Sequence, residues 1–124
     1  MGEKILLVED HAPSRANLSA YLKQQGYEVA EASDGLEALR LLNRQLIDLL
    51  ISDWVLPNVH GMNLVTLAHS ARPTLPIIVM SGYLSKEVGT VMLEDWAEFV
   101  SKPLNLEALA NMIKDLLSAQ QTIH

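Results

Sequence analysis

Short apolar runs and amphipathic stretches take turns along the whole chain. Lys4-Ile5-Leu6-Leu7-Val8, Asp48-Leu49-Leu50-Ile51-Ser52, Pro76-Ile77-Ile78-Val79-Met80 and Glu98-Phe99-Val100-Ser101 have the length and composition of buried strands. Glu28-Val29-Ala30-Glu31-Ala32 alternates in polarity instead, as an edge strand with one solvated face does. Between them the period changes to that of a helix. Pro13 to Gln25 puts Ala16, Leu18, Tyr21 and Leu22 on one stripe, and Gly26 supplies a stop. Ser33 or Asp34 can cap a helix through Leu46, with Leu36, Leu39, Leu42 and Leu46 at helical spacing. After a loop marked by Pro57, Asn58 and Gly61, a third helix runs from Met62 to Ala71 and stops at Arg72-Pro73. A weaker helical pattern spans about Lys86 to Glu94. Asn105 can cap a final helix carrying Leu106, Leu109, Met112, Ile113 and Leu116.

Five βα units in series predict an α/β fold, a five-stranded parallel sheet in three layers with five helices on its two faces. Right-handed crossovers leave few topologies for that series. No repeat, low-complexity tract or linker interrupts it, so residues 1–124 are expected to form a single domain.

Composition narrows the function. An apolar content of 49% against 19% charged residues describes a globular chain, not a disordered one. The net charge of −6, without a basic cluster, argues against direct nucleic-acid binding. The absence of cysteine removes thiol chemistry, disulfides and cysteine metal sites. No stretch approaches the roughly 20 apolar residues of a membrane span. The start, with Glu3 and a short apolar run, does not read as a secretory signal. A soluble, cytoplasmic domain is the expectation.

The chemistry sits where the strands stop. The first run ends at Glu9-Asp10, the third at Asp53, the fourth at Ser81 and the fifth at Lys102-Pro103. Parallel neighbours would bring these ends to one edge, where open α/β sheets bind ligands. A carboxylate such as Asp53 can attack phosphorus and form an acyl phosphate. It would repel a phosphate dianion unless a cation intervened. Mg2+ prefers hard oxygen ligands, which Asp10 can supply directly, Glu9 through water and Val55 through its backbone carbonyl. Lys102 is a charge on a long stem, suited to a phosphoryl oxygen, and Ser81 can donate a hydrogen bond to one. Each residue alone also reads as a turn, a cap or a solvated surface group. Their joint placement at strand ends is the stronger signal.

On these residues the chain resembles the receiver domains of two-component response regulators. The matching segments are Ile5-Leu6-Leu7-Val8-Glu9-Asp10, Asp53 with Pro57 and Gly61 behind it, Met80-Ser81-Gly82 and Phe99-Val100-Ser101-Lys102-Pro103. The resemblance implies a flavodoxin-like sheet of order 2-1-3-4-5. It also implies Asp53 as phosphoacceptor, with Glu9, Asp10, Asp53 and the Val55 carbonyl holding Mg2+ or Mn2+. Lys102 would face the phosphate, Ser81 and Phe99 would be the switch pair, and Lys102-Pro103 would be cis. The implied donor is a histidine kinase or a histidine phosphotransfer protein. An unspecified downstream effector or output domain and a monomer or phosphorylation-dependent dimer complete the picture. Such a domain catalyses only its own phosphorylation and dephosphorylation.

The departures touch the signalling surface. His60 stands where the family often has Asp, as a solvated loop residue, and Trp54 follows the acceptor, where it could shield the site or meet a partner. Asp95-Trp96 replaces a small Gly-Ala pair. Gly82, Val55 and Tyr83 are expected to set water access to the phosphoryl group. Two other readings compete: a receiver-like interaction module that works without phosphorylation, and a small Mg2+-dependent aspartyl phosphohydrolase. The second lacks an acid two residues after Asp53, where Val55 stands. A flavin-binding reading is weaker still, because Glu9-Asp10 would repel a cofactor phosphate.

Overall fold

The computed structural model describes residues 2–82 and 96–121. Five parallel strands form one sheet: β1 (Lys4–Val8), β2 (Glu28–Ala32), β3 (Leu49–Asp53), β4 (Ile77–Ser81) and β5 (Glu98–Ser101). Their order is β2-β1-β3-β4-β5, as the resemblance implied. Four helices lie among the described residues: α1 (Ala12–Gln24), α2 (Gly35–Arg44), α3 (Gly61–Ala71) and α4 (Leu106–Gln121). The helix expected near Lys86–Glu94 falls outside them.

Alternation along the strands builds two cores. Leu6, Val8, Leu50, Ile77, Val79 and Phe99 point to one face, where α2 brings Ala38 and α3 brings Leu64, Val65 and Ala68. Ile5, Leu7, Leu49, Ile51, Ile78 and Met80 point to the other, covered by Leu18 and Leu22 of α1 and Leu109, Ile113 and Leu117 of α4. Central strands buried on both faces therefore read as unbroken apolar runs. β2 lies at the edge, but it does not present one solvated face as expected: Ala30 and Ala32 pack into one core and Val29 against the other, leaving Glu28 and Glu31 exposed.

Two helical stripes differ from expectation. In α1 the buried positions are Leu18, Ser19 and Leu22, while Ala16 is exposed; Ser19 can be buried because its hydroxyl donates to Glu31 across the layer. In α2 the buried centre is Ala38, flanked by Leu39, Leu41 and Leu42. Gln45 is extended, which ends the helix at Arg44 and leaves Leu46 83% exposed.

The caps fix where the helices begin. Asp34, of the two candidates, caps α2 by accepting from the Glu37 amide at 2.8 Å, and its other oxygen accepts from Asn58 Nδ2 at 3.0 Å. That bond ties the loop after β3 to the start of α2. Gly61 opens α3 within van der Waals reach of the β3 exit. A Cβ there would stand 2.5 Å from the carbonyl oxygens of Asp53 and Trp54. Backbone atoms cannot yield as a flexible side chain can. Gly61→Ala is expected to lower stability by roughly 1–3 kcal/mol, as overpacking does. Chemical denaturation would read the loss as a lower midpoint at an unchanged slope.

Candidate functional site

The strand ends do converge. β1 and β3 are paired in register, Val8 beside Ser52, so Glu9 and Asp53 leave neighbouring strands together. β4 and β5 are paired as Ser81 beside Ser101, and the Lys102 amide donates to the Ser81 carbonyl at 2.9 Å. This brings Lys102 over the middle of the edge. Its Nζ donates to Glu9 Oε1 at 3.0 Å and to Asp53 Oδ2 at 2.9 Å. Both acids are buried, at 4% and 8% exposure, and Asp10 is exposed beside them. Glu9, Asp10, His11, Ser14, Asp53, Val55, Gly82 and Lys102 line an open cleft of about 520 Å³.

Two carboxylates this close and this dry require a counter-charge. Lys102 supplies it. Burial pulls its ammonium toward the neutral form, but the hydrogen bonds it donates to Asp53 and Glu9, and their charges, outweigh that pull. Its pKa stands above the ordinary lysine value.

The donor set fits a hard divalent cation. Glu9, Asp10 and Asp53 each offer an oxygen, all within 4.8 Å of one another. Opposite vertices around Mg2+ lie about 4 Å apart, so the three oxygens are close enough to share one ion, directly or through its waters. The ammonium of Lys102 already holds positive charge against two of them. Both Glu9 oxygens are engaged, Oε1 by Lys102 and Oε2 by the His11 amide at 3.1 Å. Glu9 is therefore suited to act through water and Asp10 to ligate directly. Val55 stands half-exposed at the mouth of the cleft.

Ser81 and Phe99 are both buried on neighbouring strands, Ser81 at the end of β4 and Phe99 paired with Val79 two residues earlier in the register. Phe99 points into the α2–α3 core, where its ring meets Trp54 edge-on with centroids 5.9 Å apart. Trp54 is buried there too, so it offers no surface to a partner. His60 is not an idle loop residue. Its Nδ1 accepts from the Met62 amide at 3.1 Å and so caps α3, and its ring meets Trp54 edge-on at 5.4 Å. Trp96 stacks on His69 of α3, centroids 4.2 Å apart and planes within 9°. Asp95 and Tyr83 lie outside the described residues. The Lys102–Pro103 bond is cis.

Sequence reasoning overlooked a second layer behind Glu9. Arg15 Nη1 donates to the Glu9 backbone carbonyl at 2.8 Å, and Arg15 Nε pairs with Glu31 Oε1 at 3.2 Å. Ser19 Oγ donates to Glu31 Oε2 at 3.1 Å. A buried serine on an otherwise apolar stripe was the available signal.

A family profile described as "Response regulator receiver domain" matches residues 5–114. Over 114 residues the chain is 34% identical to the CAI-1 autoinducer sensor kinase/phosphatase CqsS of Vibrio cholerae, covering 89% of the chain but 17% of that protein. It is also 34% identical over 118 residues to the TorCAD operon transcriptional regulatory protein TorR of Escherichia coli, covering 94% of the chain and 51% of TorR. The chain thus spans about half or less of these curated relatives. A CheY-like response regulator receiver domain protein from Methanospirillum hungatei superposes over 100% of both chains, with a TM-score of 0.92 at 30% identity. No helix among the described residues is long and apolar enough to cross a membrane.

Proposed function

The chain belongs to the family of response regulator receiver domains, and from that premise we propose that Asp53 is the phosphoacceptor of a phosphorylation-activated switch. The donor is the phosphohistidine of a histidine kinase or a histidine phosphotransfer protein. The observation that carries this reading is the Lys102 ammonium, hydrogen-bonded at once to Asp53 and Glu9 on a cleft that Asp10 completes.

An Asp53 carboxylate oxygen attacks phosphorus in line. The new O–P bond forms as the P–N bond to the donor imidazole breaks, and the electron pair returns to the ring. When bound at Glu9, Asp10, Asp53 and the Val55 carbonyl, Mg2+ or Mn2+ supplies positive charge and orientation for the phosphoryl oxygens. Lys102 exchanges the Asp53 oxygen for a phosphoryl oxygen, keeping its charge at the edge. Glu9, held by the His11 amide, stays in place throughout.

Ser81 then turns toward the phosphoryl group, and Phe99 shifts from its contact with Trp54 into the space released. β5 and α4 carry that change to a downstream effector. Phosphorylation need only favour one of two existing states. Trp54 and Trp96 pack inward, which weakens the case for a module independent of phosphorylation. The domain is read as a cytoplasmic phosphoacceptor spanning 1–124, not as an enzyme turning over external substrates.

The test is intact-mass spectrometry after incubation with Mg2+ and acetyl phosphate. One phosphoryl group is expected, labile to hydroxylamine as an acyl phosphate is, and absent when EDTA removes the metal. A native protein that stays unmodified, and also forms no berylliofluoride complex, would rule the switch out.

A further inference from the structure

Behind the cleft, and outside its lining, the Arg15 guanidinium joins three elements. It lies on α1, donates through Nη1 to the carbonyl of Glu9 where β1 leaves the sheet, and pairs through Nε with Glu31 of the edge strand β2. Glu31 cannot swing away freely, because its second oxygen accepts from Ser19, itself 2% exposed. We infer that Arg15 is a positioning residue for the acidic metal pocket, acting through the Glu9 peptide and held in place by Glu31 and Ser19. The inference rests on the reading of that pocket as a Mg2+ site.

The energetics favour positioning over general stability. The Arg15 and Glu31 side chains are 21% and 36% exposed, and an ion pair so open to water adds little to folding. Its geometry is more informative. One planar group reaches two acceptors on different strands with two of its fixed donors, which a lysine's single ammonium on a flexible stem cannot reproduce.

The residue that benefits is Asp10. On its N-terminal side, Glu9 is fixed four times: its amide donates to Ala32, its carbonyl accepts from Arg15, and its carboxylate accepts from His11 and from Lys102. On the other side, His11 caps α1, its Nδ1 accepting from the Ser14 amide at 3.3 Å. The peptide between Glu9 and Asp10 carries the carbonyl that Arg15 holds. Without Arg15 that peptide can rotate, and the exposed Asp10 loses its fixed bearing on Asp53. Partners that orient a metal ligand in this way typically carry about 10- to 100-fold of the affinity.

Calorimetric titration of the metal-free protein with Mg2+, well below its unfolding temperature, tests this without any phosphoryl donor. Arg15→Gln is expected to raise the Mg2+ Kd about tenfold, with Arg15→Lys giving no rescue and Ser19→Ala a rise of about threefold. Metal-free thermal unfolding is measured alongside. A lower Tm with an unchanged Kd would make Arg15 a structural residue only and overturn the inference. If Arg15→Gln does not fold, Ser19→Ala decides: a raised Kd supports the inference and an unchanged one overturns it. A native protein that binds no Mg2+ would instead overturn the metal reading, and the inference with it.

Discussion

Asp53→Asn is expected to abolish phosphoryl incorporation while leaving a folded protein. The carboxamide oxygen is a poor nucleophile and cannot form the acyl phosphate, so labelling by acetyl phosphate with Mg2+ should fall below detection. Folding should survive because the amide oxygen can still accept from Lys102, which retains its bond to Glu9. Loss of one charge from the acid cluster also lowers repulsion among Glu9, Asp10 and Asp53. Mass spectrometry and circular dichroism on the same sample separate the two effects. Undiminished labelling of a folded variant would place the acceptor elsewhere, and the convergence of residues from four strand ends would lose its meaning.

Lys102→Met is expected to act in two directions at once. Phosphorylation should slow by about 10²–10³, the usual loss when one preorganised donor to developing charge is removed. Mg2+ affinity should rise, because the ammonium and the ion compete for Glu9 and Asp53. In the metal-free state two buried carboxylates lose their counter-charge, which should cost roughly 1–3 kcal/mol, given that the lysine is a third exposed. Mg2+ should restore much of that loss, so its addition should lift the Tm of the variant more than that of the native protein. The pH dependence has a definite sign. A lysine whose folded pKa is raised contributes its stability fully below the unfolded value of about 10.4 and loses it as pH climbs through the higher folded value. From neutral pH upward, the Tm gap between native protein and variant should hold until it closes in strong alkali. A gap that closed near pH 7 would contradict the ion pair.

The strand ends were legible because a buried parallel strand must be apolar and its exit must not be. Asp53 after Leu49–Ser52 and Lys102 after Glu98–Ser101 stand out for that reason. The residues behind them were not. Arg15 has the spacing of an ordinary surface residue on α1, and Glu31 is an exposed polar position of an edge strand. Their meeting depends on how α1 lies over β2, which no local pattern specifies. His60 is exposed, as expected of a loop residue, but its capping role was hidden because histidine is not a preferred capping residue. Only the folded loop turns its Nδ1 to the Met62 amide. Leu46 misled for the opposite reason. Its spacing was helical, but the backbone had already become extended at Gln45.

The ion pairs of Lys102 bridge 93 residues of chain to Glu9 and 49 to Asp53. A chain emerging from the ribosome therefore presents both acids long before their counter-charge has been made. Contacts of such wide separation are slow to form, because the intervening loop must be closed before they contribute anything. Until β5 docks, the paired exits of β1 and β3 hold two acids with no ammonium between them, so that edge of the sheet is self-repelling. Docking of the last strand therefore completes the charge balance of the site as well as the sheet.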